Sequence, residues 1–338
     1  MHILLRGDDM LSSRQEELLK LIVEDYVKTA KPVSSNALCE ILNVSSATIR
    51  NEMASLKDEG LLEKTHISSG RVPSEKGYRY YVDNIMKPKE LTGDDILKLQ
   101  TIVRNSSLVI EDYIAKSVEI VSEMTNLTAV VLGSSSNENK ISKVEVVPFS
   151  ENNLVAIIIT DKGHIEHKNI IIEEKVSIDD IKKSVDIINK FIIGTPIDEV
   201  PSKLEFEVKP IISQYIERHE ALYNAFYNAF SDFTTPSYTM KGTKNILMQP
   251  EFNDVDKMRD IISKFEDKEI VSNIKETDKG INIYIGSENE FDDDVTIIKT
   301  KYNINGEEGT IALIGPKRME YSRVISLLDY ITKNINNE

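Results

Sequence analysis

Residues 34–60, SSNALCEILNVSSATIRNEMASLKDEG, run directly into LLEKTHISSGRVPSEKGYRYY at 61–81, and the reading of this junction decides the fold. Ala37, Leu38 and Ile41 recur at helical spacing, and Asn43-Val44 breaks the run. Ser45 can then accept hydrogen bonds from the first free N–H groups of a new helix. In that second helix Ile49, Met53 and Leu56 fall at i, i+4 and i+7, so one stripe packs inward. Ala47, Arg50, Asn51, Ala54 and Ser55 are pushed outward or to the flanks. Gly60 ends the helix as a left-handed cap, and Leu61-Leu62 opens an extended segment that reaches Lys64, His66 and the turn Ser68-Ser69-Gly70.

Two short helices, a tight turn and a polar two-stranded flap in that order read as a winged helix-turn-helix, a module that reads DNA. The small side chains of Ser45, Ser46, Ala47 and Thr48 let a helix N-terminus approach a duplex closely, where its N–H groups and positive dipole end favour phosphate oxygens. Arg50 can reach guanine acceptors or a phosphate and Asn51 an adenine edge, each good bidentate contact being worth roughly 1–3 kcal/mol of discrimination. Pro73 limits ladder donation, so the wing should be a solvated hairpin. Its cations Lys64 and Arg71, with His66, would touch backbone phosphate or a narrow minor groove and position the module without specifying sequence. The plainer alternative is an ordinary helical corner. Against it stand the wing and a preceding helix, whose Leu18, Leu19, Ile22, Val23 and Tyr26 supply the third member that a winged helix needs to bury a core.

The segments MLSSRQEELLKLIVEDYV, PVSS, VSSATIRNEMASLKDEGLL and ISSGRVPSEKGYRYYVD resemble the bacterial heat-inducible transcription repressor family HrcA, over roughly residues 10–86. This resemblance implies a dimeric repressor of chaperone operons bound to an inverted-repeat operator, the CIRCE element, with its activity sustained by the GroE chaperonin. It also implies a GAF-like domain carrying an inserted dimerizing domain. The leader MHILLRGDD fits the family poorly, so either Met10 is the native start or the segment is a disordered extension.

A chain of 338 residues is too long for one ordinary core. Three domains are expected: a winged-helix DNA-binding domain at 1–88, a GAF-like domain at 91–137 and 237–338, and an inserted α+β dimerization domain at 138–236. The fold class is therefore multidomain α+β. No apolar run reaches transmembrane length, and Arg6, Asp8 and Asp9 interrupt any signal-like order, so a cytoplasmic protein with no membrane partner is expected. The formal net charge of −15 looks hostile to DNA until it is split by position. Residues 1–90 carry 13 Lys/Arg against 14 Asp/Glu, and most of the acid lies beyond them. From Lys64 to Arg79 the cations Lys64, Arg71, Lys76 and Arg79 outweigh Glu75, and local sign governs phosphate contact.

Beyond the reader, Ser74 caps a helix through Tyr78, Tyr81, Val82 and Ile85 that Pro88 stops. Tyr78 and Tyr81 could stack on bases, but tyrosines three apart on a helix more often pack against a neighbouring domain. A long helix over 94–126, interrupted at Asn105-Ser106-Ser107, leads to a buried strand at 128–133 closed by the loop SSSNENK. An antiparallel meander follows (143–149, 154–160, 164–172), then helices at 177–193 and 209–230. After Pro236 we expect strand 245–248, helix 255–265, strands near 270–274, 281–285 and 295–304, a strand at 309–315 and a last helix at 321–335. Strand 128–133 and helix 94–126 lack partners of their own and are assigned to this C-terminal, GAF-like sheet.

Chemistry beyond binding has little support. Glycine loops that cradle phosphate, a GxSxG elbow and an HExxH pair are all missing from the sequence, so no enzyme activity and no cofactor are expected. The acidic loop Glu288–Asp294 lacks the spacing and central glycine of a calcium loop and reads as solvated. His164 and His167, three apart on an expected strand, point to opposite faces and share no metal. Cys39 is the single cysteine, which rules out an internal disulfide and suggests a small core residue over a redox sensor. The runner-up function is a metabolite-responsive winged-helix regulator that senses a small ligand in its GAF-like domain. Many β-branched and amide residues suggest modest stability, so a repressor of this kind would need refolding help to stay active.

Overall fold

The computed structural model describes residues 11–64, 70–103, 110–133, 139–149, 153–161, 165–171, 177–215, 238–274, 280–304 and 307–335, with scattered positions between 220 and 230. The leader through Met10, His66 with the wing turn Ser68-Ser69, residues 134–138 of the SSSNENK loop and His164 lie outside the described residues. Two compact units emerge, one made of Met1–Leu132 with Tyr238–Glu338 and the other of Gly133–Ser237.

The first unit begins with α1 (Ser13–Thr29), whose N-cap Ser12 and Gln15 form a reciprocal capping box. Helices α2 (Ser35–Leu42) and α3 (Ser46–Asp58) follow, joined by Asn43 in the left-handed conformation. Their inward side chains, Leu18, Leu19, Ile22, Val23, Leu38, Ile49, Met53 and Leu56, are all buried in one core. Strands β1 (Leu62–Glu63) and β2 (Val72–Pro73) pair antiparallel as the base of the wing, and an isolated bridge from Val33 to Arg71 widens it. Helix α4 (Glu75–Tyr80) relaxes into a π turn over Tyr81–Ile85. The expected helix 94–126 is described as α5 (Gly93–Val103) and α6 (Ile110–Thr125), ahead of β3 (Thr128–Leu132), every residue of which is buried.

The second unit is a three-stranded antiparallel meander, β4 (Ile141–Pro148), β5 (Asn153–Thr160) and β6 (Ile165–Ile171). Helix α7 (Ile178–Ile192) lies against it, followed by α8 (Val200–Lys203), a π turn at Leu204–Val208 and α9 (Lys209–Tyr215). Strand β5 alternates strictly, with Leu154, Ala156, Ile158 and Thr160 buried and the residues between them turned outward. The buried set joins Ile181, Ile188, Ile192, Leu204, Val208, Phe226 and Phe230 in this unit's own core.

The chain then re-enters the first unit through β7 (Tyr238–Lys241), α10 (Thr243–Leu247), α11 (Val255–Glu266), α12 (Lys268–Asn273), β8 (Ile281–Ile285), β9 (Val295–Ile304), β10 (Glu307–Pro316) and α13 (Tyr321–Ile335). The sheet order is β7-β3-β10-β9-β8, antiparallel throughout, so β3 sits between β7 and β10. Two local expectations fail. The expected strand at 245–248 is helical, because Gly242 turns the chain left-handed (φ 70°) and Asn245 Nδ2 reaches back to Leu127 O at 3.2 Å, so pairing is confined to the residues before the glycine. The expected strand near 270–274 is also a helix. Asp267 caps it by accepting from the N–H groups of Glu269 and Ile270, and its buried pair, Val271 and Ile274, is three residues apart.

Candidate nucleic-acid interface

The α3 helix presents its first turns to solvent. Ser45 is the N-cap, its Oγ accepting from Thr48 N at 3.2 Å and lying 2.9 Å from Thr48 Oγ1. Ala47, Arg50, Asn51 and Ala54 are exposed, while Ile49, Met53 and Leu56 beneath them are buried. Ser46 and Thr48 are half-buried. Ser46 is tied to the preceding helix, donating to Asn36 Oδ1 at 2.8 Å and lying 3.0 Å from Ser35 Oγ. Arg50 Nε donates to Ser35 Oγ at 3.3 Å, and among the described residues the outer end of the guanidinium has no hydrogen-bond partner. These contacts bring Ser35 and Asn36 into the site. The sequence reading did not single them out; they open α2 just behind its N-cap Ser34, which accepts from Ala37 N.

Acid near this surface is neutralised locally. Glu52, on the flank of α3, pairs with Arg14 Nη2 at 2.6 Å and Arg14 Nε at 3.0 Å. Unpaired, a carboxylate here would repel a phosphate backbone. Lys64 is exposed at the end of β1, at the base of the wing. Arg71 is half-buried, its backbone exchanging both hydrogen bonds with Val33 at 2.9 Å and its Nη1 donating to Gly70 O at 3.3 Å.

The count of cations from Lys64 to Arg79 needs correction, because Arg79 turns away from the wing. It pairs with Glu288, donates to Ile283 O at 2.6 Å and lies 3.3 Å from Asp83. Burial alone would depress this guanidinium, yet the hydrogen bond and charge of Glu288 outweigh it and hold Arg79 above its ordinary value. Lys76 donates to Glu59 O at 3.0 Å, where it meets the C-terminal end of α3. Arg79 is therefore lost to the wing's field, while Lys76 keeps its charge, a hydrogen bond to a carbonyl neutralising nothing, and the field is one cation thinner than the sequence count implied.

The same face of α4 fastens the reader to the C-terminal sheet. Tyr78 is buried with its ring 6.0 Å from that of Tyr321, and burial pushes both phenols up, so both stay neutral. Tyr81 is pushed up to about 12 by burial and by Glu24. Packing, not base stacking, is what the structure gives these rings. Arg318 completes the contact, pairing with Glu251 at 2.6 Å and donating to Val27 O at 2.9 Å and Gln249 Oε1 at 3.1 Å. In the acidic loop, Asp292 pairs with Lys264 at 2.5 Å, Asp294 with Lys257 and Glu288 with Arg79.

Residues 10–84 match the family described as "Winged helix-turn-helix transcription repressor, HrcA DNA-binding", and residues 111–325 match "HrcA protein C terminal domain". The chain is 39% identical over 335 residues to the heat-inducible transcription repressor HrcA of Bacillus pumilus (strain SAFR-032), covering 97% of this chain and 98% of that one. Among solved structures, a protein described only as hypothetical, at 2.2 Å resolution, is 22% identical with a TM-score of 0.66 over 97% of this chain and 98% of that one, and so shares the fold. Pseudomonas aeruginosa HmgR aligns over 96% of this chain and 98% of that one, but at 9% identity and a TM-score of 0.22 it carries no argument. The chain belongs to the HrcA family of heat-inducible transcription repressors and carries that family's winged-helix DNA-binding domain.

Proposed function

We propose that this chain represses transcription as a homodimer bound to a double-stranded, inverted-repeat operator, the CIRCE element upstream of chaperone operons, in the cytoplasm of its host. We also propose that the GroE chaperonin modulates its activity. The observation that carries the operator reading is α3: a serine-capped helix whose Ala47, Arg50 and Asn51 stand exposed beside a short wing. Ala47 permits close approach, Arg50 and Asn51 read base edges, and the N–H groups of Ser46 and Ala47, with the hydroxyls of Ser45 and Thr48 beside them, meet phosphate. Lys64, His66 and Arg71 position the wing on the backbone.

Pairing is supported by the meander of the second unit, which we read as an inserted dimerization domain within a GAF-like body. One face of that sheet is covered by helices. The other carries Val147, Phe149, Ile165 and Ile171 in the open, with Val155, Ile157 and Ile159 half-buried between them. Phe149 is 82% exposed, and apolar side chains grouped this way, with Lys143, Glu145, His167 and Asn169 beside them on the same face, favour a partner surface over water. A second copy of the chain supplies a self-complementary face and gives the two-fold symmetry that a palindrome needs.

Binding titrations of the full chain test the operator reading. An inverted-repeat duplex should be preferred over a scrambled one at physiological salt, with affinity falling steeply as salt rises. Equal affinity for both duplexes, or a flat salt slope, would count against it. For the chaperonin, heated protein should regain operator binding when GroE and ATP are added, and no recovery would count against that part alone.

The metabolite-responsive reading has one observation of its own. A groove of about 520 Å³ opens between Pro88, Lys89 and Leu91 on one side and Ile281, Ile325 and Tyr330 on the other. This volume is within the usual range for small-molecule sites. Calorimetry against a metabolite set, silent throughout, would remove it.

A further inference from the structure

We infer that Ser35 is a positioning residue for Arg50, presetting the guanidinium for a base edge through a directed chain of hydroxyls; the inference rests on the operator reading above. Four side chains from two helices make the chain: Arg50 Nε to Ser35 Oγ at 3.3 Å, Ser35 Oγ to Ser46 Oγ at 3.0 Å, and Ser46 Oγ to Asn36 Oδ1 at 2.8 Å. Proton counting fixes its direction. The Asn36 carbonyl oxygen can only accept, so the single hydroxyl proton of Ser46 goes to it. Ser35 must then donate to Ser46, and its oxygen is left to accept from Arg50, which has only donors. Each hydroxyl thus has one defined role, and the order Arg50 to Ser35 to Ser46 to Asn36 cannot run in reverse.

Two consequences follow for recognition. With Nε engaged, Arg50 offers its two terminal nitrogens, so a guanine would be met end-on at O6 and N7 instead of along the guanidinium's side. The contact also crosses from α3 to α2, so the reading side chain is braced by a helix that need not itself touch bases. Bracing a long side chain before binding removes part of its ordering cost on the duplex, a contribution of about 2- to 10-fold in affinity. Ser35 lies inside the first turn of α2, whose N-cap is Ser34, so removing its hydroxyl leaves the helix cap in place.

The test is a double-mutant cycle in the full-length chain. The probe is the inverted-repeat duplex that the unmodified chain enriches from a randomised pool, with a scrambled duplex of the same composition beside it. Ser35→Ala should weaken the enriched duplex by about 2- to 10-fold and leave the scrambled duplex within about twofold. In an Arg50→Ala background the same change should have no effect. Circular dichroism and melting temperature confirm that each variant is folded. Equal losses on both duplexes, the same loss with and without Arg50, or no loss at all would overturn the role of Ser35 while leaving base reading intact. If Arg50→Ala itself leaves discrimination unchanged, base reading by Arg50 fails and the positioning role falls with it.

Discussion

Ser45 and Arg50 share one helix yet bear on different free energies. Ser45 satisfies the Thr48 N–H, so Ser45→Ala should lower the stability of the reader by about 1 kcal/mol, seen as an earlier urea midpoint. Asn51 satisfies nothing that the fold needs, being exposed on the outer face, so Asn51→Ala should leave the melting temperature unchanged. Its effect should instead appear as a loss of discrimination at one base position, roughly 1–3 kcal/mol or about 5- to 150-fold. Competition binding against duplexes substituted one base pair at a time checks this, and a uniform loss across all positions would mark Asn51 as a backbone contact. The outward direction of Ala47, Arg50 and Asn51 was legible in the sequence because Ile49, Met53 and Leu56 fix which side of the helix is buried. The engagement of Arg79 was not, since its partner Glu288 lies 209 residues away. Composition along a segment counts a charge whether or not the fold has already used it.

At the scale of elements, helix α5 shows how a short signal is reinforced across the chain. Asp95 accepts from Thr92 N at 3.1 Å, Asp95 N donates to Thr92 Oγ1 at 3.2 Å, and Arg323 on α13 reaches Asp95 Oδ1 at 3.0 Å. Burial alone would raise this carboxyl, but the Thr92 and Arg323 contacts outweigh it and hold it below its ordinary value. Folding therefore favours the ionised form. The stabilisation is complete above the usual carboxylate range and is lost as pH falls through the depressed folded-state value. Asp95→Asn should melt earlier than the native chain near neutral pH, with the gap closing as pH falls below the usual carboxylate range. A gap constant with pH would assign the effect to shape, not charge. Most elements could be read from period alone: β5 alternates and α11 carries its buried Ile261 and Phe265 four residues apart. The failures were short apolar runs such as Ile270–Ile274, where a handful of residues fits either period and the decision passes to Asp267, a capping side chain outside the run.

For the whole molecule, the proposed pairing surface is the open face of the β4-β5-β6 sheet. Replacing Phe149 and Ile171 together by aspartate should convert a dimer to a monomer in light scattering. It should also weaken the inverted-repeat duplex by about 10²-fold or more while half-site affinity stays unchanged. A double variant that remains dimeric would place the pairing elsewhere. The exposure of these residues was hidden in the sequence, where β4 and β6 mix apolar with charged residues and nothing local says which face the helices take. Strand β3 and its antiparallel neighbour β7 show another property of the architecture. Leu132 and Tyr238 are direct partners across the ladder, so the chain departs for the second unit and returns from it at adjacent points. In effect β3 and β7 form a single hairpin whose turn has swollen into a folded body. Closure of such a loop costs only about 0.6 kcal/mol more for each doubling of its length, which makes so large a detour thermodynamically tolerable. Joining Leu132 to Tyr238 through a two-residue Asn-Gly turn should accordingly yield a chain that keeps its five-stranded sheet and its reader, with cooperative melting by circular dichroism. Grafting the excised body onto an unrelated hairpin would then ask whether it is a transplantable coupling device.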